Sequence, residues 1–367
     1  MQTEQVHNFN AGPAIIPKEV LLQAQAELHQ LPSVGMSIVE ISHRSPQFQK
    51  IIDQARSNLT ELYQIPSTHE ILFLQGGASL QFAMIPMNIG TGGAYINTGT
   101  WSTRALSEAQ IQGEAIELWS GKESQFTHVP TNKELEIQLA KLRHQPRYLH
   151  YTSNNTIYGT QFPSVPSVNL PLIADFSSDF ISRPIDFSCF DLVYAGAQKN
   201  AGPSGLTILI IRKDISRSDS AIRHCPKILK YMTHAEKDSM YNTPNTFGIY
   251  LFGLVTQWAL DQGGLAIIDQ TNKDKARLLY SVIDSHPSIY KGRATLGSRS
   301  LMNVTFDLCQ SSLTSTLLQR CSEAGIVGIK GHRSVGGFRA SIYNALPQSS
   351  VERLAELLDE FAICHSK

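Results

Sequence analysis

Between residues 70 and 212 short apolar runs alternate with stretches long enough to form helices, and this alternation constrains the fold more than any other feature of the chain. EILFL (70–74), GGAYIN (92–97), EAIELW (114–119), RYLHYT (147–152), PLIADF (171–176) and DLVYAG (191–196) read as strands. GGASLQFAMIPMNI (76–89), TWSTRALSEAQIQG (100–113) and TNKELEIQLAKLR (131–143) read as helical, the last capped by Thr131. Strands separated by helices predict an α/β fold with a mostly parallel sheet covered on both faces. GLTILIIR (205–212) follows the preceding strand too closely for a helical crossover and is expected to pair antiparallel. Upstream, Pro17 suits the first turn of a helix over VLLQAQAELHQL (20–31), and Ser45 suits the N-cap of FQKIIDQARSNLTELY (48–63).

Beyond residue 245 the pattern changes. Two longer helical stretches (247–263 and 266–283) precede a strand (301–308), a helix (311–325), strands at 326–330 and 337–344, and a closing helix (349–365). The expectation is a large domain over residues 1–260 and a smaller C-terminal α+β domain over 261–367, joined by a long helix. Residues 1–20 are expected to pack on the smaller one.

Lysine plus arginine number 31, as do aspartate plus glutamate, and no charge block occurs, so neither nucleic acid nor a membrane surface is implied as a partner. No apolar run approaches the roughly 20 residues that span a bilayer, and MQTEQVHNFNAGP carries no signal-peptide core. The five cysteines form no C-x-x-C pair, and the twelve histidines no H-x-x-x-H. Reduced thiols in the cytoplasm and no metal site are the expectation.

Ligands of open α/β sheets bind beyond the carboxyl ends of the strands, and four features lie there. Gln75-Gly76-Gly77-Ala78-Ser79 turns from a strand into a helix, where small residues expose backbone N–H groups to an anion. It is neither a Walker loop nor a dinucleotide fingerprint. Asp175 ends an apolar strand, where a carboxylate needs a cation or donor, or serves as a helix cap. Trp101 follows NTGT, as core packing or as a platform for a flat ligand. Lys199 comes 24 residues after Asp175 in a second strand-end turn. Each has an ordinary structural use alone. Together they suit a planar, cationic, phosphorylated ring that condenses with a lysine amine, which is pyridoxal 5'-phosphate.

Across nearly its whole length the chain resembles the phosphoserine aminotransferase family, of class V and fold type I. The stretches that carry the resemblance are NFNAGPA (8–14), SHRSP (42–46), LQGGAS (74–79), NNTIYGT (154–160), ADFSSD (174–179), YAGAQKNAGPSG (194–205), NTPNTF (242–247) and GHRSVGGFRASIYNA (331–345). The resemblance implies pyridoxal phosphate as cofactor and transfer of an amino group between L-glutamate and 3-phosphohydroxypyruvate in serine biosynthesis. Some relatives also act on 4-phosphohydroxy-L-threonine in vitamin B6 synthesis.

By the same resemblance Lys199 is the Schiff-base lysine and Gln198 contacts the cofactor phosphate. Asp175 partners the pyridine nitrogen, Trp101 stacks on the ring, Thr156 meets its hydroxyl side, and Gly77 and Ala78 cradle the phosphate. Asn242 and Thr243 are implied to reach the phosphate from a neighbouring subunit, hence a homodimer with shared active sites. The substrates carry an α-carboxylate and a distal anion, both suited to arginine. Arg339 is implied at the α-carboxylate, and His43, Arg44, His332 and Arg333 at the distal anion. Ser79 departs from members that have arginine just after the cradle glycines.

Cysteine desulfurases, sharing the class, need a mobile-loop cysteine, which neither Cys309 nor Cys321 suits. Serine–pyruvate and alanine–glyoxylate transaminases do not need so many cations. A non-catalytic cofactor-binding scaffold would hold the chromophore yet show no half-reaction.

Overall fold

The computed structural model describes residues 6–32, 34–218 and 224–366. Seven strands form the central sheet: β1 (His69–Leu74), β2 (Gly93–Asn97), β3 (Ala115–Ser120), β4 (Leu149–Thr152), β5 (Leu172–Asp175), β6 (Leu192–Gly196) and β7 (Thr207–Arg212), in the order β1-β7-β6-β5-β4-β2-β3. β7 runs antiparallel to both β1 and β6, and the other pairs are parallel. All strands except β7 therefore end at the same edge.

The alternation along each strand divides two cores. Ile71 and Phe73 of β1, and Ile208 and Ile210 of β7, join one cluster. Leu72, Leu74, Leu209 and Ile211 join the cluster on the opposite face. The first face is covered by α1 (Lys18–Glu27), α2 (Pro46–Tyr63), α5 (Asn132–Ala140) and α6 (Thr246–Asp261), the second by α3 (Gly77–Ile89) and α4 (Thr100–Gln112). Ser45 Oγ accepts from the Phe48 amide at 3.2 Å, and Thr131 forms a capping box with Glu134. The first helix is displaced from its expected span because Pro17 serves as its N-cap, and it ends at Glu27 rather than residue 31.

A third core contains β8 (Tyr290–Gly292), β9 (Asn303–Leu308) and β10 (Phe338–Ser341), antiparallel in that order, with α8 (Thr314–Glu323) and α9 (Gln348–His365). α7 (Leu265–Ser285) spans two cores: Leu265 and Ile268 belong to the first, Ala276 to Ile283 to the third. The strand expected over 326–330 is reduced to Ile326–Val327. That piece pairs in parallel with His7–Asn8. Gly328 turns the chain with φ +78°, and beyond it Lys330 makes an isolated antiparallel bridge to Phe338 of β10, the Ile329 carbonyl accepting from the Arg339 amide at 2.9 Å. Phe9 is fully buried in that third core. Residues 1–5 of the N-terminal segment lie outside the described residues. Among the described residues no helix is long and apolar enough to cross a membrane.

Candidate active site

The parallel strand ends converge on one pocket, lined by Gly77, Ala78, Ser79, Trp101, Thr152, Asn154, Asp175, Ser177, Ser178, Gln198 and Lys199. Sheet register explains the grouping. Thr152, last in β4, pairs with Asp175, last in β5, and Asp175 pairs with Tyr194 of β6. Lys199 follows three residues beyond the end of β6, in a turn that the Ala197 amide closes by donating to the Leu206 carbonyl at 3.0 Å.

Gly76 (φ +93°) and Gly77 (φ +66°) form the turn from β1 into α3. A methyl group added at Gly76 would lie 2.5 Å from Leu80 Cδ2, so glycine is required there. At Gly77 nothing lies within 4 Å of such a methyl, and that open space adjoins the start of α3, where free N–H groups favour an anion. Trp101 is fixed by the cap of α4: Asn97 Oδ1 accepts from the Gly99 amide (3.2 Å) and Thr103 Oγ1 (2.9 Å), while Ser102 Oγ accepts from the Thr98 and Gly99 amides. Its indole Nε1 is buried without a partner.

Lys199 Nζ donates to Thr156 Oγ1 at 2.6 Å and sits 5.7 Å from the Trp101 ring centroid. The side chain retains some exposure to the pocket while its amine is enclosed. Burial pushes that amine down to about 8; the Asp175 charge opposes the shift and the Arg339 charge adds to it. Asp175 is itself raised above the ordinary carboxyl value by burial. Against this, Asp175 Oδ1 accepts from the Ser177 amide (2.9 Å) and hydroxyl (2.6 Å), and the Lys199 charge favours ionisation. Behind the lysine, the Ala14 amide donates to the Gln198 carbonyl at 2.9 Å, and a methyl group added at Gly12 would lie 3.5 Å from Lys199 Cγ.

Arg339, on β10, extends its Nη1 to the Thr156 carbonyl at 3.4 Å; its Nε is buried without a partner. His332 and Arg333 lie in the loop before β10. His332 Nδ1 shares a hydrogen bond with Ser334 Oγ at 2.7 Å. Burial lowers the His332 pKa, as do the charges of Arg339, Arg333 and Arg104. That loop is anchored by Arg293, which pairs with Asp307 at 2.6 Å and donates to the Val335 carbonyl at 2.8 Å.

Not every expected residue comes together. His43 and Arg44 occupy the turn before α2, with His43 Nε2 buried and unpartnered and Arg44 exposed. No hydrogen bond or ion pair among the described residues ties either to the lysine pocket. Asn242 and Thr243 are exposed outside it; Asn242 lines a neighbouring recess with Gln75, Gly76 and Pro244. Thr156 is engaged with the lysine, whereas Thr152 lines the pocket with its Oγ1 buried and unpartnered. Thr152, Ser177 and Arg104 were not singled out from sequence. For Arg104 the available signal was its i, i+3 spacing from Trp101.

The model of the aminotransferase class-V family matches residues 6–354. The chain belongs to the class-V aminotransferases. Phosphoserine aminotransferase of Halalkalibacterium halodurans is 49% identical over 366 residues, covering 99% of each chain, and that of Bacillus subtilis is 46% identical over 361 residues, covering 98% of each. Among solved structures, phosphoserine aminotransferase from Bacillus circulans subsp. alkalophilus superposes with a TM-score of 0.94 at 44% identity, covering 99% of each chain. A class-V aminotransferase has the α/β architecture expected from sequence: a mixed, mostly parallel sheet flanked by helices, with a smaller α+β unit beside it. Alanine–glyoxylate aminotransferase from Nostoc, at 16% identity and a TM-score of 0.77, shares that fold.

Proposed function

We propose that the chain is a phosphoserine aminotransferase, moving an amino group between L-glutamate and 3-phosphohydroxypyruvate with pyridoxal phosphate as cofactor. One observation carries the reading: an enclosed amine, held down to about 8, lies beside a buried strand-end carboxylate in a pocket bordered by an unpaired arginine. The pocket suits the cofactor by its own chemistry. It offers open space at Gly77, an indole wall, and an unpartnered Thr152 hydroxyl awaiting an acceptor or donor. Bound pyridoxal phosphate supplies an aldehyde for an amine and a ring that draws electrons from the substrate's α-carbon.

The residues then divide the work. Lys199 presents a larger neutral fraction of its amine than an ordinary lysine, and once released it would move a proton from the substrate α-carbon to the cofactor carbon that bears the nitrogen. Asp175 holds a proton on the ring nitrogen. Trp101 covers one ring face, while Gly77, Ala78 and Gln198 bind the phosphate. Thr156, bonded to the Lys199 amine, would meet the ring hydroxyl beside the carbon that the amine joins, and the unpartnered Thr152 hydroxyl would give the cofactor a further hydrogen bond. Arg339 receives the α-carboxylate. His332, Arg333, His43 and Arg44 receive the distal anion.

We assign the active form as a homodimer in which Asn242 and Thr243 serve the partner's phosphate site. Supporting this, Leu21, Leu22, Leu28, Met36 and Val39 are each at least 45% exposed within one stretch of chain, an apolar surface suited to a second copy. Mixing Lys199→Ala with Asn242→Ala protein and re-equilibrating the subunits should restore activity, since each mixed dimer regains one intact site. No recovery after exchange overturns the shared site.

The main test is spectral. Glutamate should bleach the visible band of the bound cofactor and 3-phosphohydroxypyruvate should restore it. Serine or alanine bleaching the band as readily as phosphoserine would refute the substrate assignment. Bound chromophore without any half-reaction would identify a scaffold instead.

A further inference from the structure

We propose that Arg104 is a substrate-binding residue that favours a doubly charged phosphate over a carboxylate at the distal end of the site. This rests on the function proposed above and adds a determinant to it.

Arg104 lies on α4, one turn after Trp101. Side chains on a helix lean toward its N-terminus, and the Arg104 guanidinium carbon lies 5.1 Å from the Trp101 ring centroid. Glu108, four residues on, has the spacing for an ion pair, yet the two form none. Arg104 is exposed and has no hydrogen bond or ion pair among the described residues. Its charge is thus held against the wall of the lysine pocket by an aromatic ring and left uncompensated.

That charge has company. Arg104, Arg333 and Arg339 all act on the His332 imidazole, and none of the three has an ion pair among the described residues. The chain as a whole is electrically balanced, so this local excess marks where a polyanion binds. The cations occupy two depths. Arg339 is half-buried and bonded to the Thr156 carbonyl, beside Lys199, where the reacting carbon's own carboxylate belongs. Arg104 is exposed beside Trp101 and its charge reaches His332, one of the residues given the other end of the substrate. Ser79, also lining the pocket, brings no charge. A guanidinium pairs two oxygens at once and gains more from a dianion than from a monoanion.

The test measures half-reactions of the holoenzyme with phosphoserine and with glutamate, for the unsubstituted protein, Arg104→Ala and Arg104→Lys. The half-saturating concentration of phosphoserine should rise in Arg104→Ala about tenfold more than that of glutamate. Arg104→Lys should recover part of the difference, and cofactor affinity should not change in parallel. An equal rise for both substrates, no rise, or a matching loss of cofactor affinity overturns the proposal and leaves Arg104 as a prop for Trp101. If the unsubstituted protein does not convert phosphoserine, the proposed function fails first, and this inference with it.

Discussion

At pH 7 an unperturbed lysine amine is neutral in about three molecules per ten thousand, whereas Lys199, held down to about 8, is neutral in about one in ten. The ratio, about 300-fold, corresponds to roughly 3 kcal/mol of disfavoured charge. Trace acylation of cofactor-free protein across pH, read by mass spectrometry on the peptide bearing Lys199, should give a rate that levels off above pH about 8. An exposed lysine such as Lys18 supplies the reference for reagent reactivity. The neighbours set the direction of two further shifts. Asp175→Asn removes a charge that favours the ammonium, so the inflection should move to lower pH. Arg339→Leu removes a repelling charge, so it should move to higher pH. A Lys199 rate still climbing toward pH 10, or both variants shifting the same way, would refute this electrostatic account.

Thr152→Val should weaken cofactor affinity about three- to tenfold by deleting one hydrogen bond, without destabilising the cofactor-free protein, in which that hydroxyl is buried and unpartnered. Unchanged affinity by equilibrium titration would remove Thr152 from the site. Gly93→Ala should cost about 1–3 kcal/mol, because the new methyl would fall 2.2 Å from the buried Tyr148 ring; the denaturant midpoint measures it. Lys275 is buried and donates to the Tyr343 carbonyl at 2.8 Å. Burial pushes its amine down to about 7 from 10.5, so between those values the unfolded chain holds a proton that the native chain lacks. Stability should therefore gain a rising contribution over that pH window, and Lys275→Met should remove it; identical pH slopes for the two proteins would contradict this.

The central sheet was legible because its strands are short apolar runs whose alternate residues face opposite cores, and the intervening helices dictate parallel pairing. Even the reversed β7 was readable, from a connection too short to cross over. Lys199, Asp175, Trp101 and the Gly76-Gly77 turn were legible because each places an unusual residue at a strand end. Thr152 was not: a threonine ending an apolar strand looks like any other β-branched residue, and only the register of β4 on β5 sets it beside Asp175. The pairing of His7–Asn8 with Ile326–Val327 was equally hidden, since two residues meeting across most of the chain leave no local periodicity. Thr156 was reached only through its resembling stretch, and its hydroxyl accepts from the Lys199 amine at 2.6 Å.

That N-terminal pairing also bears on how the protein is made. Residues 7–14 are synthesised early, yet their partners are the Gly325 and Val327 carbonyls, the Ser341 amide, the Tyr343 hydroxyl and the Gln198 carbonyl. Most of these leave the ribosome only near the end of translation. The segment that backs the reactive lysine must therefore wait, unseated, until almost the whole chain exists. The pocket around Lys199 is consequently completed late, and a nascent chain halted before residue 325 would display the lysine turn without the backing that encloses it.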